Sequence, residues 1–208
     1  MQDVVSRAAV IWVVVAASVL APGCGGGEAR RAEAEARRAA AEAEEARARE
    51  EAVARREARR LADLWSYQET APGTMHQVTA AVSSANDVDV DGSGARPVRL
   101  IFRDHDSWGR SSYLVLQAGD FDCYGRCTVQ VTVDDAPPAP MAGRRPPTDE
   151  AIAMFVNDWQ TLWGLTRKAR RLQIEFPVKA GGTRTAVFDV GGLDGAKMPG
   201  WDEAVAAK

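Results

Sequence analysis

Cys127-Thr128-Val129-Gln130-Val131-Thr132-Val133 is the stretch that decides the fold of this chain. Polar and apolar side chains alternate through it, and successive side chains of an extended strand point to opposite faces. It therefore reads as a β-strand with one buried face and one wet face. Similar short runs recur on both sides of it. Upstream lie Val78 to Val82, then Val98-Arg99-Leu100-Ile101-Phe102-Arg103, then Ser112-Tyr113-Leu114-Val115-Leu116-Gln117, ended by Ala118-Gly119-Asp120. Downstream, Leu172 to Val178 and Thr183 to Val190 flank Lys179-Ala180-Gly181-Gly182, the pattern of a hairpin. Ala136 to Pro147 holds five of the ten prolines and reads as an exposed loop. Ala151 to Val156 suits either a strand or the start of a helix. Asp158 to Arg171 sets Trp159, Leu162, Trp163 and Thr166 at helical spacing and ends in cations, which oppose the negative end of a helix dipole. The expected class is α+β, mainly β: a small antiparallel domain over residues 64–208, of six to eight strands, with one packed helix. Trp65, Trp159 and Trp163 are expected in its core.

Composition changes upstream of Leu64. Glu28 to Asp63 is almost entirely Ala, Glu and Arg, with ten acids and ten arginines and no Gly or Pro. These are strong helix formers. Glu33–Arg37, Glu45–Arg49 and Glu51–Arg55 stand four apart with the acid first, the better orientation. Residues 28–63 are therefore expected to form a long charged helix, about 50–55 Å at 1.5 Å per residue. Ala29, Ala32, Ala36, Ala39, Ala43 and Ala46 make a thin seam at 3-4 spacing, which Glu50 and Glu57 interrupt. Alanine buries little area compared with the Leu, Ile or Val of coiled coils. A solvated spacer is favoured, with self-association through a coiled coil as the alternative.

The amino-terminal residues carry the sharpest signal. Met1 to Arg7 is weakly basic, Ala8 to Leu20 is apolar except for Ser18, and Leu20-Ala21-Pro22-Gly23-Cys24 is followed by Gly25-Gly26-Gly27. The apolar run is too short for a membrane span, which needs about 20 residues. Charge, short apolar stretch, small residues and cysteine are the order of an export signal. The segment resembles bacterial lipoprotein signals, which are cut before a cysteine that then carries fatty acyl chains such as palmitate. The resemblance implies removal of residues 1–23, lipid attachment at Cys24 and a Gly-rich tether over 24–27. Leu20 and Ala21 depart from the usual pattern, which has Leu three residues before the cysteine. Gly25 after the cysteine, by likeness to enteric sorting rules, implies the outer membrane, facing the periplasm.

With Cys24 acylated, Cys123 and Cys127 remain as a pair, and an oxidising periplasm favours a disulfide between them. Zinc needs two further ligands that are not evident nearby, and redox catalysis usually shows Cys-x-x-Cys. Asp87-Val88-Asp89-Val90-Asp91-Gly92 resembles the first half of a calcium loop, but Val98 stands where the bidentate Glu belongs. Asp87, Asp89 and Asp91 are therefore weak metal candidates beside the plainer reading of an acidic turn. His105 lies between Asp104 and Asp106, yet strand neighbours face opposite ways, so a surface loop is expected. His76 is a lone histidine. Glu175 and Asp189 are expected on the terminal hairpin, where they could face each other. Residues 64–208 hold fifteen basic and eighteen acidic side chains, which argues against a nucleic-acid surface.

The order of pieces resembles a family of uncharacterised bacterial envelope lipoproteins with an exported β-rich domain. The residues that carry it are Trp65-Ser66-Tyr67, Pro72-Gly73-Thr74-Met75, Ser84-Ala85-Asn86, Val131-Thr132-Val133-Asp134-Asp135, Lys168-Ala169-Arg170-Arg171-Leu172-Gln173-Ile174-Glu175 and Phe188-Asp189-Val190-Gly191-Gly192-Leu193. No single motif is diagnostic; their order across residues 65–195 is what matches. The resemblance implies fold and location, and no chemistry. The expected function is a non-catalytic binding or structural role at the envelope, with a protein or glycan partner, no nucleic acid and no cofactor. The alternatives are a hydrolase using His105 with nearby carboxylates, and a calcium-responsive binding domain.

Overall fold

The structure, a computed structural model, describes residues 26–70, 75–146 and 152–206. The signal, Cys24 and Pro72-Gly73-Thr74 lie outside the described residues. The chain divides into two compact units, one ending at Arg49 and the other beginning at Glu50.

The first unit contains the amino-terminal part of helix α1 (Gly26–Asp63), so Gly26 and Gly27 open the helix rather than forming a tether. Its described residues are exposed on every side. Arg37 pairs with Glu33 at 2.7 Å and Arg49 with Glu45 at 2.5 Å, the expected four-residue spacing. Such exposed pairs contribute about 0.3–0.5 kcal/mol each. Among the described residues no helix is long and apolar enough to cross a membrane.

The second unit takes the end of α1 and the β-rich domain. Its nine strands are β1 (Trp65–Thr70), β2 (Gln77–Val88), β3 (Arg96–His105), β4 (Ser111–Val115), β5 (Cys127–Val133), β6 (Ala139–Arg144), β7 (Ala153–Val156), β8 (Arg171–Pro177) and β9 (Thr183–Asp189). They form one antiparallel sheet in the order β1-β2-β3-β4-β7-β6-β5-β8-β9. The fold is α+β and mainly β. Helices α2 (Trp159–Thr166) and α3 (Trp201–Ala206) and a 3₁₀ turn (Gly195–Lys197) complete it.

Alternation places Val98, Leu100 and Phe102 of β3, Val129 and Val131 of β5, and Leu172, Ile174 and Phe176 of β8 in one core. Trp163 of α2 and Trp201 of α3 meet Phe102 there, with ring centroids 5.1 and 5.7 Å away in edge-on geometry. Such aromatic pairs are worth about 0.5–1.5 kcal/mol beyond their buried area. The sheet also rolls on itself. A register shift between Ser83 and Asp87 bends β2. The Asn86 amide then bonds the backbone of β9, donating to Thr185 O at 2.9 Å and accepting from Val187 N at 2.8 Å. Between β8 and β9, Gly181 and Gly182 both take left-handed φ, 97° and 75°, which a hairpin turn of this kind demands.

Several expectations change. Nine strands replace six to eight. The expected proline loop contains β6: Val129 pairs with Met141 and Cys127 with Gly143. Within β6 only Gly143 and Arg144 pair with β7, so Pro140 sits where β6 has a neighbour on one side, the position where a strand tolerates proline. Of the two readings open for residues 151–156 the strand holds, as β7 from Ala153 to Val156, with Ala151 outside the described residues. The packed helix is shorter than expected, because Asp134 accepts the backbone N–H of Arg170 and Arg171 at 3.0 and 2.8 Å and starts β8 at Arg171. Short α3 joins it, so one packed helix becomes two. Trp65 and Trp163 are buried as expected, while Trp159 is only half-buried against the core.

Candidate functional site

The outward face of the sheet carries an arginine-rich, aromatic row. Register sets Ile101 opposite Tyr113, Tyr113 opposite Phe155, and Phe155 opposite Arg144, and Arg103 opposite Ser111 beside them. Trp108 hangs over this row from the tight β3–β4 connection, where Gly109 N–H donates to His105 O at 2.7 Å. Trp159 of α2 supplies a further wall. Together they line a groove of about 650 Å³.

Arg103 is the centre of the groove. Its guanidinium carbon lies 5.1 Å from the Trp108 ring centre, 5.4 Å from Tyr113 and 6.0 Å from Phe155. Aromatic faces attract a cation at these distances. Arg103 Nε is nevertheless buried with no acceptor among the described residues, and so is Ser111 Oγ without a partner. A buried donor without an acceptor costs about 1–3 kcal/mol, more when charged. Arg144 is exposed, and its side chain has no hydrogen bond or ion pair among the described residues. Arg110 is partly committed: its Nε donates to Asp104 Oδ2 at 2.8 Å while its carbon lies 5.7 Å from the Trp159 ring. Burial pushes the Tyr113 phenol up, against the opposing pull of Arg103 and Arg99, so it stays a neutral wall. Chemically the groove offers cations, flat aromatic surface, a hydroxyl and the Asn157 amide at one place.

The sites expected from sequence fall elsewhere. Cys123 and Cys127 are joined, S–S 1.95 Å, with Cα atoms 4.9 Å apart. Beside them Tyr124 OH accepts from Arg145 at 3.1 Å and from Lys179, and both cations also meet Asp120. Asp89 and Asp91 turn their carboxylates onto Gly92 N and Ser93 N at 2.7 and 3.0 Å, closing their own turn. No group of three or more His, Cys, Asp or Glu among the described residues is placed to hold a metal, Asp87 included.

His105 is not in a surface loop. It ends β3 and is 6% exposed, because Trp108 stacks on its ring at 4.1 Å. Its Nδ1 accepts from Ser107 N at 3.0 Å. Asp104 and Asp106 bond Arg110 and the His76 N–H instead, so neither orients the imidazole. His76 Nε2 meets Glu69 at 2.8 Å, and that hydrogen bond raises its pKa. Glu175 and Asp189 do not face each other: Glu175 pairs with Thr185 and Asp189 with Arg171.

Sequence reasoning missed the groove itself. Its one local signal was an aromatic residue, Tyr113, at a wet-face position of a strand. Comparison with family models, with curated proteins and with solved structures found no match for the chain.

Proposed function

We propose that this is a lipid-anchored envelope protein, held by acyl chains on Cys24, probing its surroundings with the β-rich domain, and that the domain binds an anionic ligand without turning it over. The cell-envelope assignment rests on the order of residues 1–27, the outer-membrane placement on Gly25. Two acyl chains give firm anchoring, so no spanning helix is needed. The observation that carries the binding role is Arg103: a guanidinium ringed by three aromatic side chains, with a buried Nε that has no acceptor among the described residues. A carboxylate or similar anion entering the groove would meet the Arg103 guanidinium together with Arg144.

The anchor is tested by mass spectrometry of the mature protein, which should begin at an acylated Cys24. An unmodified product that keeps Met1 refutes it. The binding role is tested by capture from detergent-solubilised cells with wild type and with Arg103→Met. Material retained by wild type and lost with the variant supports the groove; equal retention by both places the contact elsewhere.

A further inference from the structure

We infer that the groove binds a carboxylate-bearing sugar, the uronic-acid type of unit found in acidic polysaccharides, by stacking the ring on its aromatic walls and holding the carboxylate between Arg103 and Arg144. This rests on the anion-binding reading above and gives the anion a carrier.

The backbone narrows the choice first. Tyr113 of β4 and Phe155 of β7, the floor of the groove, are each paired on both sides. No open strand edge is offered there, so an acidic peptide cannot add itself to the sheet by main-chain bonds. Recognition must come from side chains alone. Those side chains form a mixed set. Arginine supplies planar donors that match a carboxylate two at a time. Trp108, 68% exposed, and half-buried Tyr113, Phe155 and Trp159 supply broad apolar surface next to the cations. The exposed Asn157 amide supplies a partner for ring hydroxyls. A pyranose acid has all three parts: an apolar C–H face, hydroxyls at its rim and one carboxylate. A dense polyphosphate has none of the apolar face, and it would meet an acidic domain of eighteen acids against fifteen bases.

The test titrates the full-length protein in detergent with trigalacturonate and follows tryptophan fluorescence, which exposed Trp108 should report. Maltotriose, a triglutamate peptide and inorganic phosphate serve as comparison ligands. Saturable binding of trigalacturonate is expected. Maltotriose should bind more weakly by roughly tenfold or more, the worth of one charge-assisted contact. Arg103→Met should lose affinity by a similar factor. So should Arg144→Ala, whose exposed side chain can be removed without unfolding the sheet, while circular dichroism checks both variants. Equal binding of maltotriose, or tighter binding of triglutamate or phosphate, overturns the sugar assignment and leaves the groove reading standing for triglutamate or phosphate. Binding of trigalacturonate that neither variant weakens overturns the assignment to this groove. If none of the four ligands binds, the sugar inference and the anion-binding reading both fail.

Discussion

Asn86 is expected to hold the rolled sheet closed, and replacing it should open that seam. Its amide stands in for a peptide unit: Nδ2 donates to Thr185 O at 2.9 Å, and Oδ1 accepts from Val187 N at 2.8 Å. On its other side β9 is paired with β8, so the amide completes the ladder along this edge. Asn86→Ala removes both bonds and leaves a carbonyl and an N–H half-buried. Two bonds at about 0.5–1.5 kcal/mol each, with the added cost of any orphan that water cannot reach, give a loss of about 2–4 kcal/mol. In urea denaturation, with a slope of about 2 kcal/mol/M, the midpoint should fall by about 1–2 M. Asn86→Asp separates the two bonds. It keeps the acceptor for Val187 N but sets a carboxylate oxygen against Thr185 O. It should be at least as unstable as alanine at neutral pH and recover part of the loss below about pH 4, where a protonated acid can donate. Hydrogen exchange of the Val187 amide should accelerate in Asn86→Ala. A loss under about 0.5 kcal/mol, with that amide still protected, would show that the closure does not depend on this side chain.

A Cβ at Gly192 would overlap Leu61 C and Ala62 N, a side-chain atom driven into backbone. Gly192→Ala should therefore cost about 1–3 kcal/mol or more in denaturant unfolding, whereas Gly191→Ala, whose Cβ comes nearest the flexible tip of Leu61 at 3.3 Å and meets backbone only at ordinary contact distance, should cost less; equal effects refute the close approach. Replacing Cys123 and Cys127 together by alanine should cost about 2 kcal/mol, the entropy of a loop this short, and a change within experimental error would place the stabilisation elsewhere. The His76 pKa is raised above 6.5 by its Glu69 bond, so the pair's contribution is complete below 6.5 and fades as pH rises through the higher folded value. An NMR titration should show Glu69→Gln bringing the His76 midpoint back toward 6.5, and a wild-type midpoint at or below 6.5 contradicts the bond.

What could be seen in the sequence was whatever one chain segment determines by itself. Cys127–Val133 alternates because both faces of β5 are defined by burial, and the strand has those same ends. The β8–β9 hairpin was visible because its glycines sit where the turn needs left-handed φ. β1 was not visible: only Trp65 of its six residues is buried, since it is an edge strand with one partner. α3 has six residues and one buried side chain, too few for a period to appear. β6 was hidden by its proline, and the end of α2 was misjudged because Asp134, remote in sequence, decides it. Ser84-Ala85-Asn86 stood out as a motif, but its purpose depends on partners far along the chain. Ser84 Oγ accepts from Val98 N at 2.9 Å and Asn86 bonds β9, so these two side chains replace ladder bonds across the irregularity in β2.

The groove was illegible for a related reason. Its floor is assembled by pairing β4 with β7 and β7 with β6, which brings Arg103, Tyr113, Phe155 and Arg144 together from four separate strands. Each is ordinary in its own strand, an exposed-face side chain opposite a buried one. Histidine and aspartate drew attention because their chemistry is conspicuous in isolation, yet the structure uses them locally: Asp89 and Asp91 close a turn, and His105 lies under Trp108. The same stacking links the two outcomes. Trp108 buries the histidine of the hydrolase alternative and, by lying on it, stands beside Arg103 at 5.1 Å as a wall of the groove. Replacing His105 with alanine should therefore leave any hydrolytic readout unmoved and instead loosen Trp108, weakening groove binding together with Trp108→Ala. Loss of binding in Trp108→Ala but not in His105→Ala would show that the tryptophan holds its position without the imidazole beneath it.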